Sequence, residues 1–256
     1  MLIMKYYDDL VDLGCFTRES LCLLTGNFDT AGSVLKRGLK SGELKSVRRN
    51  LYVAVNLADK EPVVSKFRIA GAITETAYVS HHAAFEYYGY ANQVSYQVEV
   101  SSNTKFAPFD FNGNTYTFLQ SRIPNGVVNR PDGVRITDAE RTVLDSIHDF
   151  EKVMGLEELL RCISLVSALD ENKLLTYLAA YCKQAMYQKA GYILRYFQKE
   201  FLLSEAFFAE CSAKIGKSTR YLMANKAGSF QKEWQLVAPD NLLNLTTKGV
   251  DEDADV

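Results

Sequence analysis

Asp29-Thr30-Ala31-Gly32-Ser33-Val34-Leu35-Lys36-Arg37-Gly38-Leu39-Lys40-Ser41-Gly42, followed by Leu44-Lys45-Ser46-Val47-Arg48-Arg49-Asn50-Leu51-Tyr52-Val53-Ala54-Val55, decides the reading of the fold. The first string puts Val34, Leu35 and Leu39 on one side of a helix and leaves Ser33, Lys36, Arg37 and Lys40 on the other. Asp29-Thr30 is the expected cap and Ser41-Gly42 the stop. The second string is two β-prone stretches around an Arg-Arg-Asn tip, which predicts a hairpin bearing cations.

Upstream, residues 3–13 place Ile3, Tyr6, Tyr7, Leu10 and Leu13 at helical spacing, with Gly14 as the stop. A second helix is predicted to start at the Thr17 cap, run through Leu21 and Leu24, and end before Gly26-Asn27. Three helices with a tight turn before the third, then a hairpin, is the order of a winged helix-turn-helix module, expected over residues 1–58.

Downstream, residues 59–77 read as a polar connector with a short helix, Asp59-Lys60-Glu61-Pro62 being the most linker-like stretch. A second domain is expected over 78–240. Ser80 would cap a helix through His81, Ala84, Phe85 and Tyr88 that stops at Gly89. Val94, Tyr96, Val98 and Val100 alternate with polar residues, the pattern of a half-buried strand. Phe109, Phe111, Tyr116 and Phe118 flank the hairpin signal Asn112-Gly113-Asn114, and Val134-Arg135-Ile136 adds a short strand. From Thr137-Asp138-Ala139-Glu140, which has capping-box form, the period becomes helical. Leu156, Leu159, Leu160, Ile163 and Val166 line one face and Leu174, Leu175, Leu178 and Cys182 another, so a C-terminal helical bundle is expected. Residues 241–256, ending Asp251-Glu252-Asp253-Ala254-Asp255-Val256, read as an acidic disordered tail. The fold class is therefore α+β.

The 256 residues, 47% hydrophobic and 23% charged, exclude a fibrous or wholly disordered chain. A net charge of -2 argues against a uniformly basic nucleic-acid coat, but residues 29–55 hold Lys36, Arg37, Lys40, Lys45, Arg48 and Arg49 against Asp29 and Glu43 only. Five scattered cysteines without a C-x-x-C pair indicate neither a disulfide framework nor a zinc ribbon. No long apolar run occurs, and acids stand where a signal peptide would be apolar, so a cytoplasmic protein without membrane contact is expected.

The basic module carries the strongest functional signal. Thr30 and Ser33 near the helix start are placed to approach base edges, while Lys36, Arg37, Lys40, Lys45, Arg48 and Arg49 engage phosphates. The bland alternative is a solvated basic face. His81 and His82 with Glu86 invite a metal site, but adjacent histidines diverge by about 100° on a helix, so surface and boundary histidines are the favoured reading. Asp138, Glu140, Asp145 and Arg141 are better explained by capping and an i, i+4 ion pair than by acid/base or nuclease chemistry. Ile215-Gly216-Lys217-Ser218-Thr219 lacks the earlier glycine of a phosphate loop, Cys211 standing there, and reads as a helix stop with a basic connection. No catalytic constellation, cofactor or metal is expected, and hence no enzyme.

Four strings together resemble a known family: Arg49-Asn50-Leu51-Tyr52-Val53; Ala77-Tyr78-Val79-Ser80-His81-His82-Ala83-Ala84-Phe85-Glu86-Tyr87-Tyr88-Gly89; Val134-Arg135-Ile136-Thr137-Asp138-Ala139-Glu140-Arg141-Thr142-Val143-Leu144-Asp145; and Ala190-Gly191-Tyr192-Ile193-Leu194. In this order, over about residues 5–240, they resemble AbiEi-type antitoxins of the bacterial abortive-infection toxin-antitoxin systems described as type IV. The resemblance implies a winged helix that represses its own operon by binding inverted or direct promoter repeats. It also implies a C-terminal domain that neutralises a nucleotidyltransferase-type toxin, by stable contact or functionally. Arg48, Arg49 and Tyr52 would then fall in the wing, and Ser33, Lys36, Arg37 and Lys40 on the recognition helix. The rival expectations are a winged-helix regulator with a ligand-sensing C-terminal domain, and a metal-dependent nucleic-acid enzyme.

Overall fold

A computed structural model describes residues 5–242 and 244–247. They form an α+β protein in two compact units. The first runs to Val79 and takes in Ser95–Gln120 and Asn129–Ile136; the second comprises Ser80–Val94, Ser121–Val128 and the chain from Thr137 on.

The first unit opens with α1 (Tyr7–Leu13), ended by Gly14 at φ 73, and the two-residue β1 (Cys15–Phe16). In α2 (Arg18–Thr25) Thr17 and Ser20 exchange side chain to backbone bonds at the N-terminus, and left-handed Gly26 closes the last turn. In α3 (Phe28–Ser41) the cap is Asn27, not Asp29-Thr30: its Oδ1 accepts the amides of Asp29 and Thr30, leaving those two residues inside the first turn. Ala31, Leu35 and Gly38 face inward, whereas Leu39, expected inside, is 39% exposed.

The antiparallel pair β2 (Leu44–Arg48) and β3 (Leu51–Ala54) follows, with an irregular register between Ser46 and Arg48. Phe16 pairs with Tyr52, so β1 adds to the hairpin in the order β1-β3-β2. Leu10, Phe16, Leu21, Ala31, Leu35, Leu44 and Ala54 make one small core beneath these elements. Burying each large side chain contributes about 1.5–3 kcal/mol.

The remaining elements up to residue 137 are α4 (Lys66–Ala72), capped by Ser65, β4 (Tyr78–Val79), α5 (His81–Tyr87), β5 (Gln97–Ser102), β6 (Phe109–Phe111), β7 (Asn114–Gln120), β8 (Val127–Asn129) and β9 (Arg135–Thr137). Their strands form a mixed sheet in the order β6-β7-β5-β4-β9-β8. Asn112 (φ 50) and Gly113 (φ 76) give the β6–β7 hairpin its two left-handed turn residues, as Asn-Gly predicts. The half-buried strand expected from Val94 is corrected. It begins at Gln97, Val94 and Tyr96 are exposed, and Glu99, Ser101 and Ser102 are buried beside Val98 and Val100. Position explains this: β5 lies between β7 and β4, away from any edge.

In the second unit, α6 (Ala139–Val153), α7 (Gly155–Leu165), α8 (Glu171–Tyr181), α9 (Gln184–Arg195), α10 (Gln198–Phe201) and α11 (Glu205–Ala213) form the expected helices. Leu156, Leu159, Leu160, Ile163, Leu174 and Leu178 are buried as their spacing requires, while Cys182 is exposed. The cap of α6 is Asp138, whose carboxylate accepts the Arg141 amide; Thr137, the expected cap, ends β9 and bonds Thr142 instead. The helical expectation missed a third sheet, β10 (Arg220–Tyr221), β11 (Ser229–Gln231) and β12 (Leu236–Ala238), ordered β10-β12-β11. A single turn, α12 (Asn244–Thr247), follows. The acidic run 251–256 lies outside the described residues. Among the described residues no helix is long and apolar enough to cross a membrane, and the five cysteines are free of disulfides.

Candidate nucleic-acid interface

The exposed side of α3 is built by its own periodicity: with Ala31, Leu35 and Gly38 turned to the core, Thr30, Ser33, Lys36, Arg37 and Lys40 all face solvent. Lys5 and Tyr6, just before α1, stand beside this face. With Thr30, Ser33, Val34 and Arg37 they line a cavity of about 220 Å³. Its two cations and three hydroxyls offer an anion both charge and hydrogen-bond donors. Lys5, whose ammonium lies 4.9 Å from the Tyr6 ring centre, was not nominated from the sequence, because only folding brings it to α3.

The turn between α2 and α3 is fastened by Arg18. Its guanidinium sits 3.7 Å from the Phe28 ring centre, and a Cβ at Gly32 would come within 3.0 Å of its Nη2. Gly32 thus leaves room for a cation to lie across α3.

The hairpin cations do not act as one group. Arg49 is exposed at the tip. Arg48 is half-buried, its guanidinium 5.6 Å and 5.4 Å from the ring centres of Phe106 and Phe109. Lys45 donates to Asn112 Oδ1 at 3.1 Å, and Asn112 in turn donates to Glu61 Oε2 at 2.6 Å. Tyr52 stacks on Phe16 with ring centres 6.1 Å apart. The two ends of the predicted basic set therefore differ: α3 and Arg49 present charge outward, while Lys45 and Arg48 are engaged within the unit. Of the two acids in the stretch, Asp29 is exposed, and Glu43 is buried with Ser41 Oγ donating to its carboxylate at 2.5 Å.

The second unit holds a buried polar core. Arg141 is fully buried; its Nε donates to Asp145 Oδ1 at 2.6 Å and its Nη1 to the carbonyls of Ile123 and Asn125 at 2.8 and 2.6 Å. Tyr181 also donates to Asp145, and burial followed by that carboxylate pushes its phenol up. Glu140 accepts the Asp170 amide at 2.9 Å and faces Lys173 at 3.3 Å. These bonds give the Glu140-Arg141-Thr142 string a structural task, joining α6 to the 123–125 segment and to α8.

The histidines correct the expectation of a surface location, since His81 and His82 are 2% and 8% exposed. His81 has φ 54, a costly backbone for a non-glycine residue. Its Nδ1 meets Ser80 Oγ at 2.8 Å and its Nε2 lies 3.8 Å from Asp149. Serine, histidine and aspartate are thus aligned, but all three are buried, so no substrate reaches the hydroxyl in this conformation. Asp149 also meets His148 at 2.8 Å, Lys152 at 2.9 Å and Arg122 at 3.6 Å. His82 turns away to Glu158 at 3.3 Å.

The fold has a counterpart among solved structures. The RV2827C protein from Mycobacterium tuberculosis is similar to this chain with a TM-score of 0.62, at 14% identity, over 94% of this chain and 92% of that one. That likeness is one of fold. No protein-family model and no curated protein matches the sequence at a significant level. The RV2827C protein shares the α+β arrangement at an identity too low to carry site residues across.

Lys217 and Arg220, set aside as a basic connection, are both exposed after α11. Gly216 of the same string lies against Gln184, where a Cβ would meet Nε2 at 2.2 Å. The neighbour is the far end of a flexible side chain, so the contact by itself does not demand glycine there.

Proposed function

We propose that the chain is an AbiEi-type antitoxin that represses its own operon, with the N-terminal elements acting as a winged helix and the C-terminal unit neutralising a nucleotidyltransferase-type toxin. The observation that carries the DNA half is the order α1-β1-α2-α3-β2-β3 with α3 presenting Thr30, Ser33, Lys36, Arg37 and Lys40 outward. In such a module the helix after the tight turn enters the major groove, its first residues reaching base edges. Lys36, Arg37, Lys40, Lys5 and Arg49 would meet phosphates, and Thr30 and Ser33 the bases. The antitoxin half is supported by the four strings quoted above. The partners are operator DNA and the cognate toxin.

The test uses the full chain. Arg37→Ala with Lys40→Ala should weaken binding to the promoter of its own gene and lower the salt slope by about one per lost phosphate contact. Growth rescue against the co-expressed neighbouring toxin should survive. Unchanged binding would refute the interface, and failure of the wild-type chain to rescue growth would refute the antitoxin assignment.

A second reading is a winged-helix regulator whose C-terminal unit senses a small molecule. It draws on a cavity of about 490 Å³ in that unit, lined in part by Asn172, Leu175, Tyr187, Phe207 and Lys214. A small-molecule-induced loss of operator binding, without toxin rescue, selects it.

A further inference from the structure

We propose that His82, Glu158 and Cys162 form a binding site for one divalent transition-metal ion of the zinc class. Glu158 and Cys162 are four residues apart on α7 and therefore share a face, and His82 reaches that face from α5. The three ligand atoms lie within 4.8 Å of one another. His82 Nε2 is 3.3 Å from Glu158 Oε1, and Cys162 Sγ is 3.5 Å from the same oxygen.

Those separations match a metal's needs. With metal to nitrogen and oxygen distances of about 2.0–2.2 Å and metal to sulfur of about 2.3 Å, a tetrahedral centre sets its donors about 3.3–3.7 Å apart. Modest side-chain rotation brings His82 and Cys162 to that spacing. The donor set selects the ion: thiolate with imidazole and one carboxylate suits zinc, cobalt or iron, whereas magnesium and calcium call for oxygens. The second carboxylate oxygen faces Arg161 Nη1 at 3.6 Å, a contact that orients a ligating carboxylate.

Burial sets where the ion enters. His82 and Cys162 are buried and Glu158 is partly exposed, so the cluster is reached from solvent on the Glu158 side. In the metal-free chain the thiol proton is donated to Glu158. Binding releases that proton to solvent and leaves the thiolate as ligand, so charge and atoms balance without any redox step. The ion would tie α5 to α7 within the second unit, a role independent of the DNA face.

Full-length protein, stripped with a chelator and kept reduced, is titrated with cobalt(II) and then zinc(II). One equivalent of cobalt should give the near-ultraviolet thiolate-to-cobalt charge-transfer band, and zinc should abolish it. Cys162→Ser should eliminate the band and His82→Ala should weaken cobalt binding at least tenfold, while Cys182→Ser, which alters an exposed thiol, leaves both intact. Zinc should raise the melting temperature of the wild type and of Cys182→Ser only. If Cys162→Ser does not fold, Glu158→Gln on the partly exposed side reads the same loss of affinity. Absence of the band, its persistence in Cys162→Ser, or undiminished cobalt binding in Glu158→Gln overturns the site.

Discussion

Asn50, at the tip of the basic hairpin, accepts the backbone N–H of Arg18 at 3.1 Å while its own amide donates to Glu19 at 2.8 Å. The tip residue thus satisfies an orphan amide in the first turn of α2, from a left-handed backbone at φ 58 that asparagine tolerates. Asn50→Ala should cost about 1–2 kcal/mol in denaturant unfolding and loosen the tip, weakening operator binding as well. Equal stability of the two proteins would show that the bond contributes nothing.

Arg48 and Arg49 are neighbours with opposite fates, and their variants should separate. Arg49→Ala should leave the melting temperature unchanged and reduce promoter affinity. Arg48→Ala should lower stability by about 1 kcal/mol, since it removes a guanidinium packed over Phe106 and Phe109. Gel shifts beside thermal melts on the same samples distinguish the two.

This contrast marks how far the sequence could be read. Local signals were legible: the Thr17 cap, Gly26 and Gly42 as left-handed stops, the Asn112-Gly113 turn, and the exposed stripe of α3 all rest on residues a few positions apart. What failed was settled by distant partners. Two-residue strands such as β1 and β4 exist only because β3 and β5 pair with them. Glu99 and Ser101 look like a wet face until strands on both sides place β5 in the centre of its sheet. At α6, Thr137 and Asp138 are both good cap residues, and Thr137 was already committed to β9. For the interface, composition located the cations, but which of them stayed exposed depended on Phe106, Phe109 and Asn112.

Gly191 should not accept a side chain. A Cβ there would sit 2.0 Å from Cζ3 of Trp234, a ring that is itself buried. Gly191→Ala should therefore cost about 1–3 kcal/mol, and combining it with Trp234→Leu should recover part of that loss. Additive losses in the double variant would place the strain elsewhere.

Arg141 is a buried cation whose removal leaves Asp145 without its principal charge partner. Arg141→Met should cost about 3–5 kcal/mol or prevent folding of the second unit. Restoring neutrality with Asp145→Asn in the same chain should regain stability, as monitored by urea midpoints.

Acid sensitivity has a defined origin at Asp149. Burial pushes its carboxyl up, but His148, His81 and Lys152 around it outweigh burial and hold it far below the ordinary 3.8. A carboxyl depressed in the folded state stabilises above its unfolded value and loses that contribution as pH falls toward the folded one. The stability gap between wild type and Asp149→Asn should persist at about pH 5–7 and shrink below about pH 4. A gap that stays constant down to pH 2.5 would contradict this.

The path of the chain through the first unit bears on how the protein is made. Because Ser95–Gln120 and Asn129–Ile136 belong with the N-terminal segment, a ribosome must release residue 136 before that unit has all its strands. The basic hairpin emerges early but waits for Phe106 and Phe109 to receive Arg48. No single peptide-bond cut separates the units, and a cut near residue 58 or near residue 78 falls inside the first unit. The hairpin and its aromatic seat thus meet only once the chain has reached well past residue 100, and the first unit is whole only at residue 136.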